Sequence, residues 1–97
     1  MIKHVVMFKF KGTPEEKKEV TNKFAEALLA LPNEIPQLKS MEAGINVNPS
    51  EKWDFVLTAS ADTLEDVAIY SAHPSHVAAV AIIAPVKEDR ACVDYEC

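Results

Sequence analysis

Between residues 70 and 76 the chain reads Tyr70-Ser71-Ala72-His73-Pro74-Ser75-His76, a run that holds a phenol and two of the three histidines. Proline disfavours the helical conformation at the residue before it, so His73 is expected to lie outside the helix that Pro74 opens. His76 then falls in the first turn of that helix. There the positive end of the helix dipole disfavours an imidazolium and leaves a neutral ring able to accept a proton. A neutral imidazole beside a phenol is an acid–base pair, with His76 as the base and Tyr70 steadying it or a developing enolate. His4, from the opening segment, can reach the same space. The same residues also support a plainer reading, in which a histidine at a helix start is a cap or a surface group and Tyr70 is core packing.

Other chemistries find little support. His73 and His76 have the spacing of a helical metal-ligand pair, but Pro74 spoils the regular helix between them, and neither cysteine is spaced like a zinc ligand, so no metal site is expected. Gly12 and Gly44 are the only glycines, which excludes a Gly-rich phosphate loop. No Ser–His–acid pattern is recognisable, and no cofactor motif is present. Cys92 and Cys97 would close only a tiny loop if bridged, and read as reduced thiols of a cytoplasmic protein.

The elements that must position these groups follow from periodicity and punctuation. Ile2, His4, Val6, Phe8 and Phe10 share one face of a first strand, while Lys3, Val5, Met7 and Lys9 share the other. Thr13, Pro14 and Glu16 form a helix start with a capping box, and Val20, Phe24, Ala27, Leu28 and Leu31 repeat at helical spacing until Pro32. Met41, Ala43, Ile45 and Val47 alternate into a half-buried strand. A turn over Asn48–Lys52 leads to a returning strand of Trp53, Phe55, Leu57, Ala59 and Ala61, with Trp53 and Phe55 expected in the sheet core. Asp62 or Thr63 caps a helical piece with Leu64, Val67 and Ala68 inward. A second piece runs from Pro74 to Pro85 with Val77, Val80, Ala81 and Ala84 inward, and Ala91, Val93 and Tyr95 alternate in a last strand.

The order βαββαβ implies an α+β, ferredoxin-like antiparallel sheet of strand order 4-1-3-2, with both crossovers on one face. The other face, carrying Val5, Met7, Val56 and Thr58, has nothing in this chain to cover it, and a second copy is the simplest cover. At 97 residues and 10.7 kDa the chain is one domain, residues 1–97, with a small core. Ten Lys and Arg against fifteen Asp and Glu give a net charge of −5, which argues against a nucleic-acid partner. No apolar run approaches a membrane span, and the first residues do not read as a signal peptide.

Over essentially its whole length the chain resembles the stress-responsive A/B barrel domain (Dabb) family. The resemblance is carried by Ile2-Lys3-His4-Val5-Val6-Met7-Phe8-Lys9-Phe10-Lys11, by Leu38 to Val47, by Tyr70-Ser71-Ala72-His73-Pro74-Ser75-His76-Val77 and by Asp94-Tyr95. The His-Pro-x-His element is its most specific part. The resemblance implies a homodimer, with ferredoxin-like protomers joined sheet to sheet in a dimeric α+β barrel. In the branch similar to olivetolic acid cyclase it further implies cofactor-free aldol closure of a polyketide. Residues matching His76 and Tyr70 are there the catalytic base and its partner, and one matching His4 lines the pocket. Where that branch has aromatic pocket residues, this chain offers mainly Phe24, with Ala25, Ala27, Ala78 and Ala79 nearby, so a bulky aromatic polyketide would be held differently.

Three functions are therefore expected to compete. The leading one is a dimer that binds a small hydrophobic or carbonyl compound in a pocket between sheet and helices, lined by His4, Val6, Phe8, Phe24 and His73. The alternatives are a cofactor-free, polyketide-cyclase-like lyase that uses His76 and Tyr70 as an acid–base pair, and a non-catalytic, stress-responsive structural module.

Overall fold

The strict alternation at the start of the chain becomes a central strand whose five buried residues all face the helices. A computed structural model describes residues 1–97 as β1 (Ile2–Phe10), α1 (Pro14–Ala30), β2 (Ser40–Ile45), β3 (Phe55–Ala61), α2 (Leu64–Ala72), α3 (Pro74–Ile83) and β4 (Lys87–Glu96). The sheet order is β2-β3-β1-β4 and every pairing is antiparallel, which is the expected ferredoxin-like arrangement. No helix is long and apolar enough to cross a membrane.

The first helix starts as the sequence implies. Thr13 Oγ1 accepts from the Glu16 N–H at 3.2 Å, and the Glu16 carboxylate accepts from the Thr13 N–H at 3.4 Å. This capping box satisfies two donors that the first turn would otherwise leave unpaired. Thr13→Ala is expected to destabilise the fold by about 1 kcal/mol. Urea unfolding should show a lower midpoint at unchanged m, and an unchanged midpoint would mean that the cap contributes nothing.

The core lies between the sheet and the helices. Phe8, Phe24 and Phe55 meet there with ring centroids 5.2–6.5 Å apart, over Leu28, Leu31, Leu57 and Ile83. In the last helical segment the expected inward stripe is wrong. Val77 is 57% exposed and Ala81 and Ala84 are exposed, Val80 is half-buried, and Ala79 and Ile83 are buried instead. The sequence of α3, Pro-Ser-His-Val-Ala-Ala-Val-Ala-Ile-Ile, is apolar nearly all round, so the pattern has no contrast from which an inward face can be read. In α2, Leu64 and Ala68 are likewise exposed, while Val67 and Tyr70 are buried.

The hairpin also departs from expectation. Val47 is 92% exposed rather than half-buried, because β2 ends at Ile45. Trp53 is not sheet core either. It precedes β3, is half-buried, and carries the Lys52 ammonium 4.7 Å from its ring. Asp54 interrupts the alternation, since its carboxylate accepts from the Phe10 N–H at 2.7 Å while its own N–H donates to Phe8 O.

On the sheet face away from the helices, Val5, Met7, Val56 and Thr58 are only half-buried. The β1–β4 register adds Tyr95 opposite Lys3 and Val93 opposite Val5, exposed by 47% and 60%. A hollow of about 320 Å³ opens on this side between Met7, Gly44, Ile45, Trp53 and Val56. Gly44 is close-fitting here, since a Cβ would stand 3.2 Å from Val56 Cγ1.

Candidate functional site

The groups singled out between residues 70 and 76 are separated by the break between α2 and α3. Tyr70 sits in the last turns of α2, 1% exposed, where helical spacing turns it toward β1. His73 has the extended conformation that Pro74 demands of its predecessor, with φ −64° and ψ 137°. Its Nδ1 accepts from the Ser75 N–H at 3.0 Å, so His73 is the N-cap of α3. That capping role turns it out of the cavity it was expected to line, which is bounded by other residues.

His76, in the first turn of α3, folds back so that its Nδ1 meets the carbonyl of Ser71 at 2.9 Å. A carbonyl only accepts, so Nδ1 carries the hydrogen and the neutral ring presents an unprotonated Nε2. The His76 pKa lies below the ordinary 6.5, mainly because burial penalises the imidazolium, with smaller contributions from the charges of His4 and Arg90. The hydrogen bond to Ser71 acts in the opposite direction. The neutral state expected from the helix dipole is thus supported chiefly by burial.

Tyr70 lies between the two remaining histidines. Its ring centroid is 4.5 Å from that of His76, and 5.9 Å from that of His4 in an edge-on arrangement. The buried phenol oxygen finds no hydrogen-bond partner in the protein. Burial pushes the phenol pKa upward, against an opposing effect of Arg90, so the group is a proton donor at neutral pH. A neutral donor without a partner, its ring packed on that of a neutral acceptor, is a pair of groups that a carbonyl-bearing guest could use.

His4 reaches this cluster from β1, 6% exposed, and its Nδ1 contacts Asp94 Oδ1 at 2.5 Å. The register sets this contact, since His4 and Asp94 are direct partners in the β1–β4 ladder. Cys92 Sγ lies 3.6 Å from the same nitrogen and 3.9 Å from Asp94 Oδ1. Nitrogen, sulfur and oxygen donors therefore fall within 4.8 Å of one another, a set that a divalent ion of borderline softness could use. Two features weigh against a cation there. Burial and the Asp94 charge push the Cys92 thiol up, toward its neutral form, and the Arg90 cation is close enough to act on it. A Cys–His–Asp relay is also poorly served, because thiol and carboxylate compete for one ring nitrogen. Both cysteines are free and exposed.

A cavity of about 120 Å³ lies between the sheet and the helices, and Tyr70, Cys92 and Asp94 are not among the residues that line it. His4, Val6, Phe8 and Phe24 line it, as does His76. Lys87 and Arg90, which the sequence did not single out, line it too. The alternation of Cys92 with Asp94, continued one step back, would have placed Arg90 on this face, and no periodicity would have placed Lys87 there.

The sequence matches the family model described as stress responsive A/B barrel domain over residues 2–97. A dimeric protein of unknown function with a ferredoxin-like fold from Bacteroides fragilis is similar to this chain at 48% identity and a TM-score of 0.96, over 99% of this chain and 95% of that one. A dimeric ferredoxin-like protein of unknown function from Thermobifida fusca shares 30% identity at a TM-score of 0.79, over 99% and 90%. A protein of Arabidopsis thaliana shares 27% at 0.75, over 100% and 95%. No curated protein sequence matches.

Proposed function

The chain belongs to the stress responsive A/B barrel domain (Dabb) family, and on that premise we propose that it is a homodimeric protein that binds a small carbonyl compound in the cavity between sheet and helices. The observation that carries this reading is Tyr70, a buried hydroxyl without a protein partner set 4.5 Å, ring to ring, from a neutral histidine. A buried donor left unpaired costs about 1–3 kcal/mol, a cost that a structural tyrosine or its phenylalanine replacement would avoid. A guest oxygen would accept from it.

The dimer is supported by the half-exposed Val5, Met7, Val56, Val93 and Tyr95 on the face without helices, and by the dimeric description of the relative at 48% identity. Two such faces, packed together, make a closed barrel with the helices outside.

A second reading, cofactor-free acid–base catalysis, is favoured by the orientation of His76. With Nδ1 held by Ser71, Nε2 is free to remove a proton from the carbon beside the guest's carbonyl. The Tyr70 O–H would meanwhile hydrogen-bond the enolate oxygen that develops. The cavity of about 120 Å³ is well below the roughly 300 Å³ and more of drug-sized sites, so the guest is short and not a bulky aromatic polyketide.

The test is binding and turnover of small β-diketones such as pentane-2,4-dione by wild type and by His76→Ala. Wild type should bind, and the variant should lose about tenfold or more in affinity or turnover. The His76 pKa is depressed, so the base remains competent as pH falls to 6.5 and fails only at more acidic pH, as the folded protein itself takes up the proton. The unfolded chain protonates first, so stability also declines below 6.5. Equal behaviour of wild type and variant across that range would remove His76 from the site.

A further inference from the structure

The four residues that open β4, Lys87-Glu88-Asp89-Arg90, set two anions between two cations, and a regular strand would put one of each sign on either face. A bulge prevents this. The β1–β4 register runs Phe8 to Arg90 and Lys9 to Asp89, then skips a residue and pairs Phe10 with Lys87. Unbroken pairing would set Glu88 opposite Phe10, on the face that Phe8, Phe10 and Arg90 share. With Glu88 as the extra residue, Lys87 takes that place instead. Bulges commonly re-aim a side chain beside a functional site, and this one replaces a carboxylate by an ammonium at the cavity.

The charges then separate. Glu88 is bound by Lys9 at 2.5 Å and Asp89 lies 3.8 Å from Lys52. Lys87 and Arg90 line the cavity and neither takes part in any ion pair of the protein. In a chain of net charge −5, where acids outnumber bases, two unpaired cations lining one small cavity are not supplied by composition alone. The remaining acid nearby, Asp94, is engaged by His4.

We propose that the guest of this cavity is a small carboxylate carrying a carbonyl group, its anionic end held by Lys87 and Arg90 and its carbonyl end beside His76, against which the Tyr70 ring packs. This rests on the reading that the cavity binds a small carbonyl compound, and it narrows that class to keto acids. Arg90 suits the task because its planar guanidinium can bind a carboxylate through two parallel hydrogen bonds, while Lys87 adds a point charge. The same two cations would favour an enolate formed at the neighbouring carbon, so they serve the catalytic reading as well.

The test compares levulinate with its methyl ester, which keeps the ketone and removes the charge, by titration into the full-length protein. Levulinate should bind about tenfold or more tightly than the ester, the equivalent of one charge-assisted hydrogen bond. Lys87→Gln/Arg90→Gln should abolish the preference, bringing levulinate to the level of the ester. Both residues are exposed, and circular dichroism would verify that the double variant folds. Equal binding of acid and ester by wild type, or a preference that survives in the double variant, would overturn the carboxylate assignment and leave the carbonyl-binding reading intact. If levulinate, its ester and neutral diketones all fail to bind, both are overturned.

Discussion

Tyr70→Phe is expected to raise the melting temperature of the free protein, by roughly 4–8 °C for each kcal/mol recovered in a domain of this size. The same substitution should weaken carbonyl binding. The stabilising half follows from one atom. The Tyr70 hydroxyl is buried without a protein partner, and such a group costs about 1–3 kcal/mol that an apolar ring of the same shape would not. The ring itself stays, so its packing against His4 and His76 is retained and no large cavity opens. The weakening half follows from the same hydroxyl, since a guest carbonyl loses its donor. Opposed changes of this kind are the signature of a group kept for function at a cost in stability. Calorimetry of both proteins with and without pentane-2,4-dione decides the matter. A lower melting temperature for the variant would show that the hydroxyl is structural, and unchanged ligand affinity would show that it does not touch the guest.

The second large effect concerns the face of the sheet without helices. At micromolar concentration the wild type should sediment at twice 10.7 kDa, and Val93→Glu should sediment at 10.7 kDa. Val93 is 60% exposed in the single chain and stands opposite Val5 in the ladder, in the middle of the apolar surface. A symmetric interface brings each substitution in twice, and burying a charge without a partner costs about 3–5 kcal/mol, enough to weaken the dimer a hundredfold or more. The variant should stay folded, because Val93 touches none of the core between sheet and helices. A wild type that sediments as a monomer, or a variant that remains dimeric, would rule this face out as the interface.

Much of this architecture was legible in the sequence because β1 is unambiguous. Its five alternate residues are buried and the intervening ones half-buried, and the βαββαβ order then leaves few topologies. The capping box and the break at His73-Pro74 were legible for a similar reason, since each depends on local sterics and hydrogen bonding. Features that depend on register or on contrast were not. The inward face of α3 is obscured by apolar residues on every side, and Trp53 falls outside its strand because Asp54 is drawn to the backbone of β1. Tyr70 and His76 were readable as neighbours from their spacing. The contact between His4 and Asp94 needs the β1–β4 pairing, and the place of Lys87 needs a bulge that no alternation announces.

The β1–β4 ladder has a consequence for how the protein comes to be functional. It joins Ile2 to Glu96 and Phe10 to Lys87, so its contacts are among the most distant in sequence that this chain can make. Contacts of that kind are slow to form, because a long loop must close before they are rewarded. His4 and Arg90 come together only through this ladder, so the cavity has its cationic wall only after β4 has docked. Ligand binding would then report the last event of folding, and a guest present during refolding would favour the species in which the two ends of the chain have met.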